Sequence, residues 1–193
     1  MQEIAMTYGA QSGLHWKSVK IAHYLDQHAH ELDKVYNFNA LLMPHNVIPP
    51  VVTELGKTYT VASSDTVHLS DREYILSQPA RFVSVAPSWR EYIYLGYAQP
   101  DDPPASILPQ TNHEKEIWKK YVQIGWQSGV AQAEAIFQDS LSKLNHDYEG
   151  MILYHVLHIQ NMISAPYVET TNLGITGNSQ SLRLNDKVIK IQN

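Results

Sequence analysis

The side chain best suited to chemistry in this sequence is histidine, present ten times, while cysteine is absent. The absence of cysteine removes disulfides, thiolate metal sites and thiol nucleophiles together. His155 and His158 stand three apart, a spacing that shares one face of a helix. A helical histidine pair holds a transition metal when a third ligand joins it, and no motif supplies one. Tyr154 and Leu157 beside them point instead to packing. His23, His28 and His30 fall in a first helical segment, where a solvated face accounts for them. His45, set among Pro44, Pro49 and Pro50, could orient a loop or act as a base, but no nucleophile is paired with it in sequence. Asp101-Asp102 lies in a proline-rich stretch. Glu114 and Glu116 fall in a first helical turn, where the helix dipole favours negative charge.

The strong catalytic signatures are missing: there is no GxSxG elbow, phosphate-binding Walker loop, GxGxxG or HExxH. Catalytic residues, cofactor-binding residues and metal ligands are therefore all expected to be none. The aromatic residues say more. Twelve tyrosines and four tryptophans accompany only three phenylalanines, a bias towards rings with a polar tip that suits protein interfaces. Trp89, Tyr92, Tyr94 and Tyr97 cluster, and Val51 and Val52 follow two prolines. These six are the candidate partner contacts.

The composition agrees with a binding role. Hydrophobic residues make up 44%, which excludes a disordered chain. The net charge of −5 carries no basic stripe, so neither nucleic acid nor an anionic membrane surface is an expected partner. No apolar run approaches the roughly 18 residues of a membrane-spanning helix. Met1 opens a polar helical segment without a signal-peptide pattern.

The elements that position these residues read as α+β within one domain, 1–193. Helices are expected at about 2–34, 112–144 and 147–163, with short antiparallel strands and hairpins at about 58–85 and 167–191. Gly9 and Gly13 lie on one face of the first helix, and Gly125, Gly129 and Ala133 on one face of the second. Both stripes repeat every four residues, which suits either a close crossing of the two helices or the packing of each stripe on a sheet. Thr111-Asn112-His113-Glu114 is a capping box opening the second helix, and Ser88-Trp89-Arg90-Glu91 opens a short one. Ser164-Ala165-Pro166 closes the third. Ser70-Asp71 and Asn185-Asp186 are each expected to turn a hairpin between similar strand pairs, which could share one sheet.

The segment Tyr36-Asn37-Phe38-Asn39-Ala40-Leu41-Leu42-Met43-Pro44-His45-Asn46-Val47-Ile48-Pro49-Pro50-Val51 resembles the DotC family of type IVB secretion systems. Further stretches agree in order, among them Tyr8-Gly9-Ala10-Gln11, Ala80-Arg81-Phe82-Val83, Ile117-Trp118-Lys119-Lys120-Tyr121, Gly150-Met151-Ile152-Leu153-Tyr154 and Leu173-Gly174-Ile175-Thr176-Gly177. The resemblance covers nearly the whole chain. It implies a lipoprotein subunit of an outer-membrane core complex, on the periplasmic side of that membrane, with relatives in conjugative plasmid systems. It implies DotD-like and DotH-like partners, help in placing the DotH-like protein at the outer membrane, and no catalytic residue. The lipid-bearing cysteine and lipoprotein signal of that family are not in this sequence, so it reads as an excised or trimmed periplasmic domain. Two other readings stand beside this one. One is a small periplasmic hydrolase or metal-binding enzyme using His45, His155 or His158. The other is a peptide-binding module that adds a strand to an edge near Val51–Glu54.

Overall fold

The computed structural model describes residues 1–63, 66–177 and 180–192. The architecture is α+β, built as two compact units. Residues 1–36 and 88–145 form the first, and residues 37–87 and 146–193 the second.

The first unit is helical. Helix α1 spans Gln2–Gln27 and α2 spans Ala29–Val35. The single helix expected to about residue 34 is interrupted at His28, whose backbone leaves helical geometry at φ −104°, ψ 9°. Its ring nitrogen Nδ1 lies 2.9 Å from the Tyr24 carbonyl, and its ring lies against that of Tyr24. Helix α3 spans Trp89–Ile93, opened by a complete Ser88/Glu91 capping box. Helix α4 spans Asn112–Ile159 and gives its residues as far as Asn145 to this unit. Thr111 caps it: its Oγ1 accepts from the Glu114 amide at 3.2 Å, while Glu114 accepts from the Thr111 amide at 3.0 Å.

Two helices are expected where α4 stands, with a break at residues 145–146, and the break does not occur. Asparagine disrupts helices by hydrogen-bonding its own backbone nearby. Here the Asn145 side chain is engaged elsewhere, accepting from the Tyr36 hydroxyl at 2.5 Å. The helix ends before the expected residue 163. Asn161 takes left-handed geometry at φ 56°, the Met162 amide reaches back to the Leu157 carbonyl, and the Asn161 amide reaches the His158 carbonyl. That is a Schellman termination.

The small-residue stripes set the distance between α1 and α4. A methyl group placed on Gly9 would overlap the Val122 carbonyl, and one on Gly13 the Trp126 carbonyl. Methyl groups on Gly125 and Gly129 would overlap the carbonyls of Met6 and Ala10. The partner numbers rise together, so the two helices run in the same direction. Buried positions on α1 go from Ala5, Gly9 and Gly13 to Ile21 and Leu25. Those on α4 go from Gly125, Gly129 and Ala133 to Leu144. Side chains thus grow along both stripes in the same sense. A salt bridge between Lys17 and Glu134, 2.5 Å long, spans the pair.

Parallel neighbours need a connection that returns along the helix, and the proline-rich stretch contributes to it. His15 Nδ1 lies 2.7 Å from the Tyr97 carbonyl, Tyr8 donates to Asp102 at 3.1 Å, and Pro103 and Pro104 lie by Glu3 and Ile4. Residues 97–104 therefore strap α1 from its middle back to its start. Apart from a 3-10 turn at Ala105–Ile107, the loop expected from Gln99 to Pro109 has no regular structure.

The second unit is built on nested strands. Strand β1 (Val47–Ile48) pairs with β6 (Arg81–Phe82), β2 (Val51–Leu55) with β5 (Glu73–Gln78), and β3 (Thr58–Ser63) with β4 (Thr66–Ser70), all antiparallel. Leu55 faces Glu73 and Thr58 faces Ser70 in one unbroken register, so the pieces continue one long ribbon. The expected turn at Ser70-Asp71 is instead a break within one arm of that ribbon. The last of these strands ends at Phe82, short of the expected limit near residue 85.

Strands β7 (Tyr167–Gly177) and β8 (Leu182–Gln192) form a second ribbon. Asn185 takes the left-handed geometry its type favours, at φ 56°, but inside β8, where the register shifts opposite Gly174 at φ 72°. The turn chemistry at Asn185-Asp186 is used for a bulge. Among the described residues, the two ribbons form separate sheets and do not join into one.

The core of this unit lies between Val47–Val52 and the last turns of α4. Val47, Ile48, Val51 and Val52 are buried, as are Met151, Tyr154 and Leu157. Val51 and Val52 are both buried because the register shifts between them, which cancels the usual alternation of strand faces. Gly150 lets the Val52 backbone approach the helix closely. Asp147, buried, accepts a hydrogen bond from Gln78 Nε2 at 2.8 Å.

Replacing Gly129 by alanine separates helix propensity from packing. Propensity alone would stabilise α4 by up to about 1 kcal/mol. Overlap with a backbone carbonyl reverses the sign, and a net loss of about 2–3 kcal/mol is expected. Thermal unfolding followed by circular dichroism should show a midpoint lowered by roughly 4–12 °C. Gly96→Ala, with open space around the new methyl, should leave the midpoint nearly unchanged.

Candidate interaction surfaces

The histidine pair on α4 is engaged by loop carbonyls. In the second unit, His155 Nε2 lies 2.9 Å from the Leu41 carbonyl and His158 Nδ1 lies 3.2 Å from the Ile163 carbonyl. Tyr154 stacks on His158 at 6.1 Å and meets His155 edge-on at 5.9 Å. Burial raises the Tyr154 phenol above its ordinary value. The pair thus ties two loop ends to α4. His45 is exposed, with left-handed backbone geometry at φ 65°. Among the described residues, no group of three or more histidines or carboxylates is arranged to hold a metal ion.

The aromatic candidates divide. Trp89 is 1% exposed, a core residue and not a contact surface. Its indole nitrogen donates to Asp33 Oδ1 at 2.7 Å, and Arg90 donates to the same oxygen at 2.6 Å while its guanidinium lies over the indole ring. This cluster fastens α3 to α2. Tyr92 and Tyr97 are half-buried. Tyr94 is exposed and donates to Asp26, a bond that holds its phenol above the usual range. Val51 and Val52 lie in the core of the second unit, because Gly150 brings α4 onto them, and so offer no free surface. Gly9, Gly13, Gly125 and Gly129 lie at the α1–α4 contact.

The surfaces left open are elsewhere. On the second ribbon, Ile175 is 70% and Leu184 67% exposed, with Leu173 and Val188 about half exposed. On the first ribbon Leu76 and Ile75 are exposed. On α4, Ile152, Val156 and Ile159 recur at helical spacing and are all exposed. Exposed apolar groups in such numbers mark interaction sites. Among the described residues, β7 and β8 pair only with each other, and an outer strand edge is a template for pairing with another strand. Alternation of Leu173 with Ile175 was a legible signal for this in the sequence. Trp16 and Trp126, whose rings approach to 5.5 Å, were not singled out by any motif. Among the described residues, no helix is long and apolar enough to cross a membrane.

The fold is mixed helix and sheet, with His155 and His158 held by loop carbonyls and apolar residues of both ribbons exposed. Over residues 1–193 the sequence matches the family model T4SS_TraI, described as type IV secretory system, conjugal DNA-protein transfer. The chain belongs to this family. No curated protein sequence matches it significantly.

The Asp33 cluster makes a pH prediction. The Arg90 hydrogen bond, and then that of Trp89, hold the Asp33 carboxyl below its ordinary value. Glu114 is likewise lowered, by the backbone amides of Thr111 and Gln110. A group whose folded pKa is depressed contributes stability above its unfolded value, and this is lost as pH falls through the folded value. Thermal midpoints should therefore drop as pH falls below about 4. Asp33→Asn should lower the midpoint at neutral pH and flatten its acid dependence, so that the two proteins converge in acid.

Proposed function

We propose that this chain is a non-catalytic structural subunit of the outer-membrane core complex of a type IVB secretion or conjugation system. In this reading it sits on the periplasmic side of the outer membrane. It binds DotD-like and DotH-like proteins and helps place the latter. The family match over the full chain supports a place in a type IV secretory system. The finer assignment draws on the resemblance of residues 36–51 and the stretches that follow them.

The observation that carries the subunit reading is the uncovered apolar face of the second ribbon, Leu173, Ile175, Leu184 and Val188. A two-stranded ribbon is marginally stable alone, and a third strand or a packed surface completes it. Strand addition from a partner would supply both.

Co-expression of the chain with its DotH-like and DotD-like counterparts should yield a stable complex at near-physiological salt. Replacing Ile175 and Leu184 together by glutamate should abolish co-purification while leaving the helical circular dichroism signal intact. Retention of the complex by that variant would remove the ribbon from the interface. Failure of every pairing, with full-length partners tried, would overturn the subunit reading.

A further inference from the structure

The two strands of the second ribbon differ in charge. Strand β8 carries Arg183, Lys187 and Lys190, with Asp186 as its one carboxylate, in a chain whose net charge is −5. Strand β7 carries Glu169 and no cation. The three cations of β8 are all exposed. Register decides which of them the ribbon answers by itself. Glu169 stands directly across from Lys190. Asn172 stands across from Lys187 and Thr176 across from Arg183, so β7 sets no carboxylate against either of these two.

Among the described residues β8 pairs only with β7, which leaves its other edge as a template for a further strand. Side chains directly opposite each other on adjacent strands lie about 5 Å apart, where opposite charges attract and like charges repel. A strand laid along β8 therefore meets Arg183 and Lys187 at close range, and acidic residues are favoured there. The edge of β7 offers Glu169 instead and disfavours the same strand. The apolar neighbours of the two cations narrow the occupant further. Leu184 is 67% and Val188 50% exposed. Successive residues of a strand face opposite sides of a sheet, so Lys187 and Val188 are presented on opposite faces. A nucleic acid would meet the cations and leave Leu184 and Val188 in water. A polypeptide strand that alternates acidic and apolar side chains answers both faces at once.

We propose that the outer edge of β8 receives an extended segment of a partner protein in which acidic and apolar residues alternate, with carboxylates set against Arg183 and Lys187. The proposal rests on the reading of this ribbon as an interface, and adds the edge that is used and the chemistry of the partner.

The test titrates the whole chain, isotopically labelled, with a synthetic peptide that alternates valine and glutamate and has the eleven residues of β8. Nuclear magnetic resonance should show saturable binding, with amide exchange slowed along β8 and not along β7. A peptide with lysine in place of every glutamate should not bind. Salt raised to about 1 M, where charges are screened within about 3 Å, should weaken the acidic peptide. Arg183→Gln combined with Lys187→Gln should weaken it about tenfold, the scale of losing two cross-strand ion pairs. Lys119→Gln combined with Lys120→Gln, an equal loss of charge on α4, should change nothing. The proposal is overturned if the acidic peptide fails to bind at millimolar concentration, if it protects β7 in place of β8, or if the Arg183/Lys187 variant binds it like the parent. Displacement of the peptide by a single-stranded oligonucleotide that binds more tightly would overturn it as well. Co-purification with the DotH-like and DotD-like proteins is scored separately. Its failure beside intact peptide binding would overturn the subunit reading and leave this proposal standing. A complex lost on changing Ile175 and Leu184 to glutamate but kept by the Arg183/Lys187 variant would do the reverse.

Discussion

Backbone-to-backbone contact between α1 and α4 is the constraint on which the helical unit rests. At Gly9, Gly13, Gly125 and Gly129 no side chain separates the helices, and each glycine faces a carbonyl of its neighbour. Contacts of this kind let weak Cα–H···O interactions and dispersion act over a long seam. They also fix register, because any sliding of one helix brings a side chain against a carbonyl. Larger residues further along, Ile21, Leu25 and Leu144, fill the space that glycine leaves closed at the start. The parallel direction of the pair in turn requires a strap that returns along α1. The proline-rich segment suits that task because it needs no hydrogen-bonded ladder of its own.

The second unit applies the same device once, at Gly150, to bring Val51 and Val52 onto the final turns of α4. Around that contact the nested strand pairs keep one register through a break at Gly56-Lys57 and Asp71-Arg72. Among the described residues, each strand of the ribbons has one strand partner, with an isolated bridge from Met43 to Val47 beside the first. The exposure of Ile175, Leu184 and Leu76 follows from the same geometry, because a two-stranded ribbon has little with which to cover its own faces. The buried core of the unit lies at the helix contact, and the ribbons leave apolar side chains exposed.

These features agree with a member of a type IV secretory family described by transfer. Several of its polar residues tie elements together: Asp33 of α2 to Trp89 and Arg90 of α3, His155 of α4 to the Leu41 carbonyl, and Asp147 of α4 to Gln78 of β5. Its apolar residues are partly left uncovered. Surface of that kind gains free energy by association.

The sequence alone determined the mixed α+β character, both capping boxes, strands between residues 58 and 82, and the four-residue periodicity of the small stripes; the short strands at Val47–Ile48 and Val51–Leu55 lie outside the expected strand range. These are local properties: capping chemistry, propensity and period act within a few residues. It also carried turn-forming chemistry at Asn185-Asp186. Only the tertiary structure decided that this would serve a bulge and not a hairpin, because a left-handed residue fits either use and strand pairing chooses. Tertiary contact likewise made α4 one helix, since Tyr36 takes the Asn145 side chain that would otherwise compete with the helix. It buried Trp89, Val51 and Val52, and left Trp16, Ile175 and Leu184 uncovered. Burial depends on which distant segment arrives at a residue, and no local pattern encodes that arrival.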